Sequence, residues 1–250
     1  MPALLTRALD RLMLQGTITE AEPVAARMRR LRIEGPALAG LDPRPGQQVR
    51  ILVDGTLTRR TYSVWRYDPS GAVELCVLDH AEAGPGARWG QSARTGDTVR
   101  LGRPEGSFVL RPDAARHVFV GDETASVAFG AMLAALPEGG AVSGCVETQT
   151  PGDRLPVPHA GRLDWSLRGT ISLSDAVRRL NPPPGGVAYV AGEARTVQQV
   201  RRTLVQEAGW DRRAVLTKPF WAPGKRGLEQ PAGSRSNQAP VKGTSRTGSE

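Results

Sequence analysis

Cysteine, histidine and lysine are all scarce in this 250-residue chain. Its two cysteines, Cys76 and Cys145, each stand alone inside an apolar run. That excludes a disulfide framework, a CxxC redox pair and an iron–sulfur ligand set, and both thiols are expected as small core residues. The three histidines, His80, His117 and His159, are too far apart to suggest a structural zinc site, so no metal ligands are assigned. No apolar run approaches the ~18 residues of a membrane span. The opening MPALLTRALDRLMLQG is broken by Arg7, Asp10 and Arg11 before a secretory core could form. A cytoplasmic protein without a membrane span is therefore expected. Aromatic residues make up only 5% and do not interleave with the basic ones as a single-strand binder requires. Lys218, Lys225 and Lys242 are the only lysines, so the net charge of +8 is carried by scattered arginines. This charge suits anionic ligands at least as well as nucleic acid, which ranks last among the partners considered.

What is present is ample material for a core: 39% hydrophobic against 23% charged residues, enough for one large domain or two small ones. Leu4, Leu5, Leu9, Leu12 and Met13 fall at helical spacing, predicting a short helix over 4–15 and a leading segment 1–19. From 20 to 112 the pattern is strand-like. AEPVAARMRRLRIEG, QQVRILVDG, RRTYSVWRYD and AVELCVLDH are separated by Pro/Gly turns, and DTVRLG and GSFVL follow as closing strands. A six-stranded antiparallel barrel is expected. Between 113 and 228 strands alternate with helices: RHVFVGD, the helix TASVAFGAMLAAL, AVSGCVE, the helix SLSDAVRRL capped by Ser172 or Ser174, VAYVAG, a helix from Glu193 ended by Gly209, and RRAVLTKPFW. Such alternation means a parallel sheet covered on both faces. Residues 229–250 are poor in large apolar side chains and read as a disordered tail.

A barrel followed by a parallel α/β domain is the arrangement of the ferredoxin-reductase-like flavoproteins, and several motifs fit it. Arg60-Thr61-Tyr62-Ser63 lies on a predicted strand and resembles their RxY(S/T) pattern. The strand period of two puts Arg60 and Tyr62 on one face. There a guanidinium can pair with a pyrophosphate and a phenol can lie against a flavin, while Ser63 can reach the N5 edge. Val77-Leu78-Asp79-His80, Gly84-Pro85-Gly86-Ala87-Arg88-Trp89, Gly96-Asp97 and Gly106-Ser107-Phe108 follow in order. Together they resemble the siderophore-interacting protein family. GPGARW is a glycine-rich turn entering a helix, where free backbone N–H groups favour a diphosphate and small residues allow close approach. Gly121-Asp122-Glu123-Thr124-Ala125 matches the family's GDETA, although Ser126-Val127-Ala128 stands where members usually carry a proline. Ala191-Gly192-Glu193 with Arg195 resembles its AGE segment. Phe220-Trp221-Ala222-Pro223-Gly224 resembles its terminal YWxxG, with Phe220 for tyrosine.

The resemblance covers roughly residues 20 to 228, and its specificity lies in the order of the motifs. It implies FAD held by Arg60, Tyr62, Ser63, Val77, Leu78, His80, Gly86, Ala87, Arg88, Trp89, Thr124 and Trp221. It further implies an NADPH or NADH donor near Gly192, Glu193 and Arg195, or a ferredoxin in its place, and a ferric siderophore as acceptor. Arg103, Lys218, Lys225 and Arg226 are the basic residues picked to meet that anionic chelate. No acid–base residue is assigned, because the flavin carries the chemistry. Two alternatives stay open: a flavin reductase serving a separate oxygenase or heme protein, and a siderophore-binding accessory without turnover.

Overall fold

A computed structural model describes residues 13–53, 58–80 and 84–224. Six antiparallel strands, β1 (Leu14–Ala25), β2 (Met28–Glu34), β3 (Gln48–Leu52), β4 (Arg59–Asp68), β5 (Ala72–Leu78) and β6 (Thr98–Leu101), close a barrel in the order β1-β2-β5-β4-β3-β6. Alternating residues such as Ile18, Ile33, Ile51, Leu75 and Leu101 fill its interior with no exposed surface. Helix α1 (Pro85–Ser92) lies between β5 and β6. Six strands were expected, but not these six. Segment 21–35, read as one strand, is split at Ala26–Arg27 into the end of β1 and all of β2. Among the described residues GSFVL pairs with no strand; it is a connector whose Phe108, Val109 and Leu110 are buried. A short apolar run reads the same in either role. β1 closes the barrel instead, pairing with both β2 and β6. It begins at Leu14, inside the expected helix 4–15 and the expected leading segment 1–19. The alternation of Gly16, Ile18 and Glu20 overrides the helical spacing upstream. The rest of that helix and the expected tail lie outside the described residues.

The second half is a five-stranded parallel sheet in the order β11-β10-β7-β8-β9, built from β7 (His117–Asp122), β8 (Val142–Thr148), β9 (Leu163–Leu167), β10 (Val187–Glu193) and β11 (Val215–Trp221). α2 (Ser126–Ala134) packs on one face, and α3 (Leu173–Leu180) and α4 (Ala194–Arg202) pack on the other. Strand β9 went unread: LDWSL alternates apolar and polar residues over only five positions, too short a run to stand out from the surrounding loop. Ser172 caps α3, its Oγ accepting from the Asp175 N–H at 3.1 Å. The helix expected to run to Gly209 leaves α-geometry after Arg202, continues as a π-helical turn over Thr203–Glu207, and ends at Gly209 with φ +70°.

The two halves share one core. A register shift between Val64 and Arg66 turns Trp65 out of the barrel, and its ring lies on Gly130 of α2, where an added Cβ would meet the ring at 2.0 Å. Met28, Cys76, Phe119, Phe129 and Met132 complete this contact. Burial pushes the thiols of Cys76 and Cys145 up to about 12, which makes them inert core groups.

Arg27, at the turn between β1 and β2, clamps the junction. Its Nε donates to Asp153 Oδ1 at 3.0 Å and its Nη2 to Glu123 Oε1 at 3.0 Å. Burial pushes the Asp153 carboxyl up. Hydrogen bonds from Arg27 and Thr150 outweigh that and hold it below the usual carboxylate range. A depressed folded-state pKa contributes stability that is present above the unfolded value, ~3.9, and lost as pH falls through the folded one. Acid titrations of thermal stability should therefore show a steeper decline below about pH 4 for the wild type than for Asp153→Asn. Parallel acid limbs would remove Asp153 from this role.

Candidate functional site

Two groups of residues collect the expected site positions. The first lies outside the barrel strands β4 and β5. Arg60 and Tyr62 share a face of β4, and Gly86 in the first turn of α1 sits against both. A Cβ on Gly86 would lie 2.7 Å from Tyr62 Oη and 3.1 Å from Arg60 Cγ. Gly90, one turn later, rests on Val77, where a Cβ would meet Cγ1 at 2.4 Å. These two close approaches fix α1 on the sheet. Trp89 packs on Tyr62 with ring centroids 5.5 Å apart. The N-cap is Gly84, followed by Pro85, and among the described residues no side chain makes a cap hydrogen bond to the helix. The first-turn N–H groups of Gly86 and Ala87 therefore point out of the helix beside the Arg60 stem. A proline start, a glycine N-cap and the stem of Arg60 alongside are the features a diphosphate cradle uses, and these residues fit the FAD implied by the motifs. Ser63 lies on the opposite face of β4 from Tyr62 by the strand alternation. Leu78 is half-buried, while Arg88 and His80 are exposed, His80 two residues beyond the end of β5.

The second group lies at the carboxyl ends of β7, β8 and β10, where an open parallel sheet binds ligands. Asp122 is its hub, 3% exposed. Its Oδ1 accepts from the Thr124 N–H at 3.0 Å and from the Thr124 hydroxyl at 2.5 Å. Its Oδ2 accepts from the Glu193 N–H at 3.0 Å and from the Trp221 indole N–H at 2.8 Å. Gly192 has φ +127°, and a Cβ there would meet the Asp122 carboxylate at 2.6 Å, so both backbone conformation and space require glycine. The Glu193 carboxylate caps α4, accepting from the N–H groups of Arg195 at 2.9 Å and Thr196 at 2.7 Å. Arg195 itself is exposed. A cavity of about 250 Å³ opens here, bounded by Asp122, Glu147, Arg168, Glu193 and Trp221 among others. Trp221, assigned from its motif to the flavin, stands with Gly192 and Glu193 in this crevice.

Several residues of the crevice escaped the sequence reading. Arg168 donates through Nε to Glu147 at 3.0 Å and through Nη2 to Glu123 at 2.6 Å, with its guanidinium 5.7 Å from the Trp221 ring. Glu123 is 1% exposed, and it bridges Arg168 to Arg27 of the barrel. Burial pushes the Glu123 carboxyl above its ordinary range, against the pull of both guanidiniums. Asp122 and Glu123 stood inside the quoted GDETA; Arg168 and Arg27 carry no local signal at all.

The basic residues divide differently from expectation. Arg103, exposed, lines a second cavity of about 280 Å³ with Met13, Arg50, Arg59 and Glu105. Arg50 Nε pairs with Glu105 at 2.5 Å. Lys218 is half-buried on β11, not a flexible rim residue. Burial lowers its pKa, and nearby Arg50 adds to this while Glu105 opposes it. Lys225 and Arg226 lie outside the described residues. Among the described residues no helix is long and apolar enough to cross a membrane.

Residues 114–224 match the siderophore-interacting protein family, and residues 53–108 match the siderophore-interacting FAD-binding domain. The ferric vibriobactin reductase ViuB of Vibrio cholerae serotype O1 is 28% identical over 176 residues, covering 66% of this chain and 65% of that protein. The chain therefore spans somewhat less than two thirds of that relative's length. The mycobactin import ATP-binding/permease protein IrtA of Mycolicibacterium smegmatis is 26% identical over 226 residues, covering 84% of this chain and 26% of that one. A siderophore utilization protein from T. fusca superposes with a TM-score of 0.74 at 22% identity, over 87% of this chain and 95% of the other.

Proposed function

This chain belongs to the siderophore-interacting protein family, and from that premise we propose that it is a cytoplasmic FAD-dependent reductase delivering electrons from a reduced nicotinamide nucleotide to Fe(III) in a siderophore. The observation that carries the reading is the adjacency, on β3 and β4, of a diphosphate cradle and a cationic cavity. Arg60 and Tyr62 belong to the first, and Arg50 and Arg59 belong to the second. When bound, FAD supplies hydride acceptance and single-electron release, so one NAD(P)H yields NAD(P)⁺, a proton and two Fe(II). Hard oxygen donors hold Fe(II) far less strongly than Fe(III), which makes reduction a means of release.

The chain's own residues bind and orient. The uncapped turn of α1 and Arg60 hold the diphosphate, while Tyr62, backed by Trp89, presents an apolar wall. Asp122 fixes the Trp221 indole and the Gly192–Glu193 turn over the donor crevice. Arg59 and Arg103, with Lys218 nearby, attract the anionic chelate to the second cavity. Nothing in this scheme requires a proton-transfer residue.

The test is anaerobic. The purified protein should be yellow, and its reduced flavin should be reoxidised by a ferric siderophore. Arg103→Ala with Lys218→Ala should slow that reoxidation most at low ionic strength, where steering is least screened, and leave FAD content unchanged. Absence of reoxidation by every ferric siderophore tried would favour a protein acceptor, an oxygenase or heme protein, over a chelate.

A further inference from the structure

We infer that the donor crevice selects NADH against NADPH, with Glu147 as the discriminating residue; the inference rests on the reductase reading above. The strand order places the topological switch point between β7 and β10, so a dinucleotide lies across the carboxyl ends of these strands. In sheets of this kind the strand beside the first one ends next to the adenosine ribose. A carboxylate there accepts from the 2′-hydroxyl, whereas a cation takes the 2′-phosphate of the phosphorylated cofactor. Here that strand is β8. Glu147 stands near its carboxyl end, directly opposite Asp122 in the ladder, and lines the 250 Å³ cavity.

The cation count of the crevice points the same way. Arg168 is the cavity's one basic lining residue among those described, and its charge is shared between Glu147 at 3.0 Å and Glu123 at 2.6 Å. The first turns of α3 and α4, which reach the cavity through Leu173 and Thr196, are closed by their own side chains. Ser172 Oγ accepts from the Asp175 N–H, and the Glu193 carboxylate takes two N–H groups of α4. The N–H groups of these two helix starts are therefore taken and offer nothing to a 2′-phosphate, whereas the start of α2, where the diphosphate shared by both cofactors would sit, has no side-chain cap. Arg195, expected to meet a phosphate, is exposed and absent from the cavity lining. A 2′-phosphate would face Asp122, Glu147 and Glu193 with one shared guanidinium to answer them. A ribose 2′-hydroxyl has only to donate to Glu147.

The experiment is a calorimetric titration of the FAD-loaded full chain with ADP-ribose and with 2′-phospho-ADP-ribose, alongside stopped-flow flavin reduction by NADH and NADPH. We expect ADP-ribose to bind about 30-fold more tightly or better, given the size of like-charge repulsion in a partly desolvated site. The rate preference should run in the same direction. Glu147→Gln should narrow the binding ratio by about 10-fold, because it removes the repelling charge and frees one edge of Arg168. The wild-type ratio needs no variant and stands even if the substitution unfolds the protein. Equal or tighter binding of the 2′-phosphorylated ligand overturns the inference, as does an unchanged ratio in a folded Glu147→Gln protein. Binding of neither ligand also overturns it. Dithionite reduction followed by a ferric siderophore tests the reductase reading separately, since it bypasses the donor. Reoxidation without nucleotide preference leaves that reading standing and sinks the selectivity.

Discussion

Gly86→Val is expected to give a folded protein that has lost its flavin. Gly86 does not have a positive φ, so valine meets no backbone strain there, and the substitution tests space alone. Its Cβ would lie 2.7 Å from Tyr62 Oη and 3.1 Å from Arg60 Cγ, and valine adds two methyl groups to that crowded position. Either the phenol and guanidinium stem move or α1 lifts from β4. Both outcomes separate the helix N-terminus from Arg60 and fill the place where a diphosphate would approach the backbone. Losing charge-assisted contacts of this kind costs on the order of 1.5–3 kcal/mol each, so loss of both implies at least ~100-fold weaker retention. The measurements are flavin absorbance of the purified protein and FAD titration of the stripped protein, with far-UV circular dichroism to verify folding. Stoichiometric flavin with unchanged affinity would remove the α1 cradle from the site.

The second large effect is expected from Glu123→Gln. Glu123 is 1% exposed and lies between Arg27 of the barrel and Arg168 of the crevice. Glutamine leaves Arg27 with Asp153 and Arg168 with Glu147 and can still accept from one guanidinium, so the loss is that of about one charge-assisted hydrogen bond, on the order of 1.5–3 kcal/mol. In a protein of this size that is a drop of roughly 3–12 °C in Tm. A spectroscopic change should accompany it. Arg168 lies over the Trp221 ring at 5.7 Å, so a shift of its guanidinium should alter the indole fluorescence even in protein that remains folded. A Tm within 2 °C of wild type would show that Arg27 and Arg168 are satisfied without Glu123.

The sequence by itself determined the architecture. Period-two patterning followed by strand–helix alternation is a local property, and it carried the barrel, the parallel sheet and their order. RTYS and GPGARW pointed to the strand and the helix start that meet at Gly86, because a strand's two faces and a helix start are both written in neighbouring residues. Only the tertiary structure decided what closes the barrel. β1 does so by pairing with β6 across more than 80 residues, and nothing local distinguishes it from GSFVL. Only the tertiary structure, too, assembled the charge network. Arg27 meets Asp153 at a separation of 126 residues, and Arg168 meets Glu123 at 45. Scattered arginines are indistinguishable in a chain whose positive charge is almost all arginine. Which of them is spent on a buried carboxylate, and which remains to meet a ligand, depends on distance and desolvation, and both arise only when the two halves pack.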